Sequence, residues 1–235
     1  RAKMSDTRRK SAGKSFAYVL GVYLGDGCVT VREGRPVFRL NTIDGDFAST
    51  VKSALEELSK YSVTVNKHSV KKSDKPNYSL NHGDVALCDK LKTDTCNKTT
   101  IPDYVLTLFN RDEKLAFISG LMDSEGFVAE DKTNPTNRRY YMGYKSCDVW
   151  VPDFIRLLES VGVRIGKVSQ EEPLRPGYKI PTRFHIKMQS WVDAGCYFNI
   201  HRKQSRVDTW KSAGPYENRS RNPRRLTPEA IRQTS

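Results

Sequence analysis

Apolar and polar positions along the 235-residue chain switch repeatedly between helical spacing and strict alternation. FAYVLGVYLGDGCV (16–29) opens with a dense apolar run that predicts a buried helix. CVTVRE and PVFRLNT then alternate, predicting a hairpin that turns around Glu33–Pro36. Phe47, Val51, Ala54, Leu55 and Leu58 recur at helical spacing behind an Asp44-Gly45-Asp46 start signal. SVTVNKHSV and NYSLNH form a second alternating pair, and DVALCDKLK a short helix. The same order returns in LAFISGLMDSEGFV (115–128), FVAED, a loop with Asn134-Pro135, and RRYYMGYKS. Phe154, Leu157, Leu158 and Val161 mark the next helix, VRIGKVS and RFHIKMQ the next strands, and WVDAGCYF a last helical stretch.

The two apolar runs align without gaps at a separation of 99 residues: Ala17 falls on Ala116, Gly21 on Gly120, Gly27 on Gly126 and Asp26 on Glu125. The expected fold is therefore α+β, two pseudo-equivalent αββαββα half-domains with antiparallel sheets. The expected boundaries are 15–96 and 113–205, with a linker at 97–112 where Ile101-Pro102 breaks the pattern. Residues 1–14 read as a basic arm and 206–235 as a basic, extended tail in which RLTPEAIRQ is able to start a short helix.

Strand phase separates a dry face from a wet one. Val29, Val31, Phe38, Leu40, Val63 and Val65 are expected to pack inward in the first half, and Phe184, Ile186 and Met188 in the second. The opposite face and its adjoining turns offer Thr30, Arg32, Arg35, Arg39, Asn41, Asn66, His68 and Asn81, then Arg138, Arg139, Tyr141, Lys145, Gln170, Arg183, His185, Lys187 and Gln189. These are the side chains that read base edges in a major groove, which is wide enough for a β-ribbon. Glu130 and Asp131 break the pattern in FVAED.

Charge agrees with a polyanionic partner. Forty Lys and Arg oppose 27 Asp and Glu, a net charge of +13, most of it in the two ends of the chain. Five cysteines stand at scattered positions, never as CxxC, which argues against a disulfide framework or zinc site. No apolar run approaches the roughly 20 residues of a membrane span, and no apolar stretch follows the basic N-terminus as in a secretory signal. An intracellular protein, in the cytoplasm or an organelle, is expected. SAGKS (11–15) lacks the first glycine and preceding strand of a phosphate-binding loop.

Chemistry concentrates in the repeat. Gly21 and Gly25, and likewise Gly120 and Ser124, lie four apart, so small residues share one helix face and let two backbones approach. Packing the two helices through these faces brings their C-terminal ends together, with Asp26 facing Glu125. Two carboxylates so close need cations, and hard divalent ions with oxygen ligands are the natural answer. Such a pair can activate water and stabilise the leaving oxygen of a phosphodiester.

VLGVYLGDG (19–27) and ISGLMDSEG (118–126) resemble the two motifs of a single-chain LAGLIDADG homing endonuclease, and the similarity spans roughly residues 15–205. The resemblance implies a pseudo-twofold monomer with saddle-shaped sheets along the major groove of a long double-stranded DNA target. It implies Mg²⁺-dependent cleavage of both strands, with Mn²⁺ substituting and Ca²⁺ supporting binding without cleavage. Asp26 and Glu125 would be the metal-binding catalytic acids, aided by the carbonyls of Gly25 and Ser124, with a mobile intron as host element. Lys98 and Lys203, 72 and 78 residues behind the two acids, match the basic residue that such enzymes place beside the metals. Leu24 departs from the pattern where Asp123 keeps an acid. An RNA-binding intron maturase, or a non-catalytic DNA-binding protein of the same fold, is the alternative.

Overall fold

A computed structural model of the chain describes residues 6–59, 61–68, 76–131, 139–171 and 180–212. The first half runs α1 (Asp6–Leu24), β1 (Cys28–Arg32), β2 (Arg35–Thr42), α2 (Gly45–Leu58), β3 (Val65–His68), β4 (Asn77–His82) and α3 (Val85–Asp94). A short helix, α4 (Asp103–Thr107), follows Pro102 within the stretch read as a linker. The second half repeats the order: α5 (Arg111–Ser124), β5 (Gly126–Asp131), β6 (Arg139–Ser146), α6 (Val151–Ser160), β7 (Ile165–Gln170), β8 (Thr182–Ile186), α7 (Met188–Asp193) and α8 (His201–Ser212). Two four-stranded antiparallel sheets result, ordered β1-β2-β4-β3 and β5-β6-β8-β7. This is the α+β arrangement that the repeat predicts.

Helices α1 and α5 pack side by side and form the seam between the halves. Their motif segments are buried on every side, from Ala17 to Leu24 and from Ala116 to Asp123. That accounts for apolar patterning without a polar face: each helix meets its twin on one side, and α1 is also covered by α2, as α5 is by β5. α5 starts at a capping box in which the Asn110 side chain accepts from the Glu113 amide while Glu113 accepts from the Asn110 amide. No helix among the described residues is long and apolar enough to cross a membrane.

Several expectations need correction. Val31 is 70% exposed, because β1 is an edge strand and its far end passes beyond the helices that cover Phe38 and Leu40. Helix α1 begins at Asp6, within the segment read as an arm. Residues 206–212, read as tail, continue α8, where Val207 is buried and the Gln204 side chain donates to Asp208 one turn on. The loop with Asn134-Pro135 and the stretch RLTPEAIRQ lie outside the described residues.

Candidate functional site

The site is built where the motif helices end. At Gly21 a Cβ would stand 2.3 Å from the Phe117 carbonyl oxygen, and at Gly120 the same 2.3 Å from that of Tyr18. Since Phe117 lies 99 residues after Tyr18, these are one contact and its pseudo-twofold copy. Further down the seam a Cβ at Gly25 would meet the Ser124 Cβ at 2.3 Å and the Glu125 Cγ at 3.6 Å. Close backbone approach thus carries both acids to the same end of the helix pair, just past Leu24 and at the C-cap of α5. The partial negative charge of two helix C-termini adds to that of the carboxylates.

Both acids remain open to solvent, yet their surroundings act on them. Desolvation raises the Glu125 carboxyl above its usual range, the Asp26 and Asp148 charges push it further, and Lys98 and Lys203 pull it back. Asp26 is raised the same way, first by desolvation, opposed by Lys203 and Lys98 and reinforced by Asp44. Two carboxylates held within reach of each other favour a cation between them, while the two lysines already neutralise part of their charge.

Each lysine sits at the end of a motif helix. The Lys98 ammonium donates to the Gly25 carbonyl at 2.6 Å and the Gly27 carbonyl at 3.1 Å. Its backbone is pinned from both sides: the Thr95 hydroxyl accepts from its amide at 3.0 Å, and the indole of Trp150 donates to its carbonyl at 3.1 Å. Cys96, Asn97 and Lys98 take positive φ values of 47°, 57° and 71° in succession, a conformation costly for side-chain-bearing residues. Lys203 is buried in α8 and donates to the Met122 and Asp123 carbonyls at 2.9 and 2.6 Å. Burial lowers its pKa to about 8, against the raising influence of Asp123, Asp26 and Asp44. Ser124 lies beside Gly25, and its hydroxyl donates back to the Gly120 carbonyl.

Sequence reasoning missed a second pair of acids. Asp44 follows β2 and Asp148 follows β6, each two residues after a hydroxyl, Thr42 or Ser146, that accepts from its amide at 3.1 or 3.2 Å. The shared hydroxyl-x-Asp spacing was the available signal. Asp44 binds both nitrogens of the Arg202 fork at 2.6 and 2.7 Å, which ties the second half's last helix to the first half. A cavity of about 480 Å³ beside Asp26 is lined by Asp44, Asp123, Ser124 and Arg202 among others. Asp123, opposite Leu24 in the repeat, is a buried bracket: it accepts from the Tyr18 hydroxyl, the Asn199 amide and side chain, and the Ile200 amide. Its own pKa is raised to about 6 by burial.

The sheets' open faces hold most of the other sequence candidates. In the first sheet Thr30, Arg32, Arg35, Arg39, Asn41, Asn66, His68 and Asn81 share one face by register, and the His68 ring meets the Ser79 hydroxyl at 2.8 Å. In the second sheet Tyr141, Lys145, Arg183 and His185 share the corresponding face. Lys145 and Arg183 are both bound to Glu171, at 2.6 and 3.0 Å. Gln170 is off this face: a bulge between Ile165 and Val168 inserts one residue, so Ser169 pairs with Arg183 and Gln170 with Thr182. Lys187 and Gln189 are off the strand, because α7 starts after Lys187 to bury Met188 and Trp191. Gln189 donates instead to Asp193, one turn on. Arg138 lies outside the described residues, and Arg139 is placed only by its backbone in β6.

The donor set fits a hard divalent cation: two carboxylates and backbone carbonyls, all oxygen, at a point where Lys98 already engages the Gly25 carbonyl. Among the described residues no three His, Cys, Asp or Glu side chains converge, so the protein would share such an ion with water or substrate oxygens.

Comparison with known proteins agrees with this geometry. Residues 13–97 match the family model of the LAGLIDADG-like domain. The homing endonuclease I-DmoI, solved as mesophilic variants, is 21% identical, with 77% of this chain and 90% of that one covered at a TM-score of 0.50. An I-DmoI variant in complex with its target DNA and manganese is 18% identical over 80% of this chain and 98% of that one, also at 0.50. The homing endonuclease I-WcaI bound to its DNA recognition sequence is 10% identical over 88% and 94%, at 0.55. No curated protein matches. At these identities the structural likeness speaks for fold alone. The chain therefore has the LAGLIDADG homing endonuclease fold, with two half-domains about one helix pair.

Proposed function

We propose that this protein is a site-specific double-strand DNA endonuclease that hydrolyses phosphodiesters at a long target with the help of a divalent metal ion, Mg²⁺ in the first place. One observation supports the reading above all: close packing at Gly21, Gly25 and Gly120 brings together the helix ends that carry Asp26 and Glu125, with a polar-faced sheet in each half. Asp26 and Glu125, with the Gly25 and Ser124 carbonyls, would hold the metal, which supplies water activation and charge neutralisation at the phosphorus centre. Lys98 and Lys203 supply fixed positive charge beside the acids, where it stabilises charge that develops on the phosphate. The open faces of the sheets lie along the major groove, and the net charge of +13 adds phosphate contacts. The half-domains, read from the sequence as 15–96 and 113–205, extend to take in all of α1 at one end and all of α8 at the other, and the protein acts as a monomer inside the cell.

Selection of bound duplexes from a randomised pool in Ca²⁺, followed by Mg²⁺, tests the reading. Enrichment of one long sequence that is then cut on both strands near its centre is expected. Binding should weaken steeply with salt as counterions are released. A sequence that is enriched but stays whole would overturn the endonuclease and leave a binding protein. No enrichment, with preference for folded intron RNA, would point to a maturase.

A further inference from the structure

The two sheets place different chemistry at the same pseudo-symmetric row. In the first sheet Cys28 pairs with Arg39 and Arg39 with Asn81, so the open face offers a guanidinium beside an amide. In the second sheet the corresponding row is Phe127, Gly143 and His185. Gly143 has no side chain, and a Cβ there would stand 2.7 Å from the tip of the Phe127 ring. The ring therefore lies across β6 in the notch that glycine leaves. Tyr141 and His185 close around it: the Phe127 centroid is 6.1 Å from that of Tyr141 and 6.3 Å from that of His185, and those two are 6.1 Å apart. The Arg183 guanidinium carbon stands 4.9 Å from the Phe127 centroid.

This patch is aromatic where its twin is hydrogen-bonding, and it is open, with Tyr141 38% exposed. Burial and the charges of Arg183, Lys167 and Lys187 lower the His185 pKa against the opposite pull of Glu171, which favours the neutral ring, and the same basic neighbours are suited to phosphates. Phe127 follows Glu125 by two residues, which puts the patch next to the acids. The one apolar group that bases present in the major groove is the 5-methyl of thymine.

We infer that Phe127, Tyr141 and His185 form a methyl-reading patch that packs on a thymine next to the cleavage centre, in one half-site only. The inference rests on the DNA-binding reading proposed above. The first half reads the equivalent base pair through Arg39 and Asn81 by hydrogen bonds.

The test uses the wild-type protein and its selected target in Ca²⁺, with each thymine replaced in turn by deoxyuridine, which lacks only the methyl. One replacement near the centre of one half-site should weaken binding about fourfold, the equivalent of one buried methyl group. In Phe127→Ser that difference between thymine and uracil should disappear while the rest of the target is still selected. If no single replacement changes affinity, or if the sensitivity persists in Phe127→Ser, the patch does not read a methyl, although the endonuclease reading stands. Failure to select any target removes that reading instead. The uracil scan needs no variant, so it decides even if Phe127→Ser does not fold.

Discussion

Gly21 lies against the carbonyl of Phe117 so closely that a Cβ would stand 2.3 Å from the oxygen. The contact is backbone against backbone, so no side-chain rotation relieves an added methyl. Gly21→Ala and Gly120→Ala should each force the helix seam apart and destabilise the fold by about 3 kcal/mol or more, the upper range for overpacking. Urea unfolding measures this. The usual gain of about 1 kcal/mol from alanine in a helix should not appear.

Bringing the acids together has a cost that neutral isosteres relieve. Asp26 and Glu125 both have raised pKa values, so holding them ionised costs the folded state some stability. Asp26→Asn and Glu125→Gln should each reduce cutting of both strands by at least about a hundredfold. Binding to the target in Ca²⁺ should be nearly unchanged. Thermal stability should rise rather than fall, as expected where a functional site is built at the expense of stability. Single-turnover cleavage and a melting curve on the same preparations give both readouts, and wild-type cutting by either variant would remove the two-carboxylate assignment.

What the sequence made legible follows from the repeat. Two apolar runs in register at 99 residues place Gly21 on Gly120 and Asp26 on Glu125, and packing the two small faces together brings the acids to the same end. Lys98 and Lys203 were reachable because each follows the last predicted helix of its half. Arg202 and Asp44 were not: 158 residues separate them, and nothing local marks a bidentate pair. The bulge in β7 was equally hidden, since one inserted residue reverses the alternation that put Gln170 on the open face. Asp123 looked like a retained family acid, but only the fold shows that Asn199 and Ile200 turn their amides onto it.

The loop that carries Lys98 depends on the other half of the molecule. Trp150, buried at the start of α6, donates to the Lys98 carbonyl while the residue holds a φ of 71°. Trp150→Phe keeps an aromatic ring there but removes the donor. It should cost about 1 kcal/mol for the lost hydrogen bond, together with some loss of packing. Displacement of the ammonium from the end of α1 should slow cutting roughly ten- to a hundredfold with little change in target affinity. A variant that cuts normally would show that Trp150 serves packing only.

Lys203 gives the clearest pH signature. Its pKa falls to about 8 in the folded protein through burial, against an ordinary value near 10.5. Between these values the unfolded chain binds more protons than the folded one, so this residue makes stability rise with pH. Below about pH 8 both states hold the proton and the full burial cost is present; above about 10.5 neither does. Lys203→Met removes the titration together with the bonds to the Met122 and Asp123 carbonyls. Wild type should therefore gain about 2–3 kcal/mol on Lys203→Met between pH 7.5 and 10.5, measured as the difference in unfolding free energy in urea. A difference that stays flat over this range would mean that the buried ammonium is not titrating near pH 8.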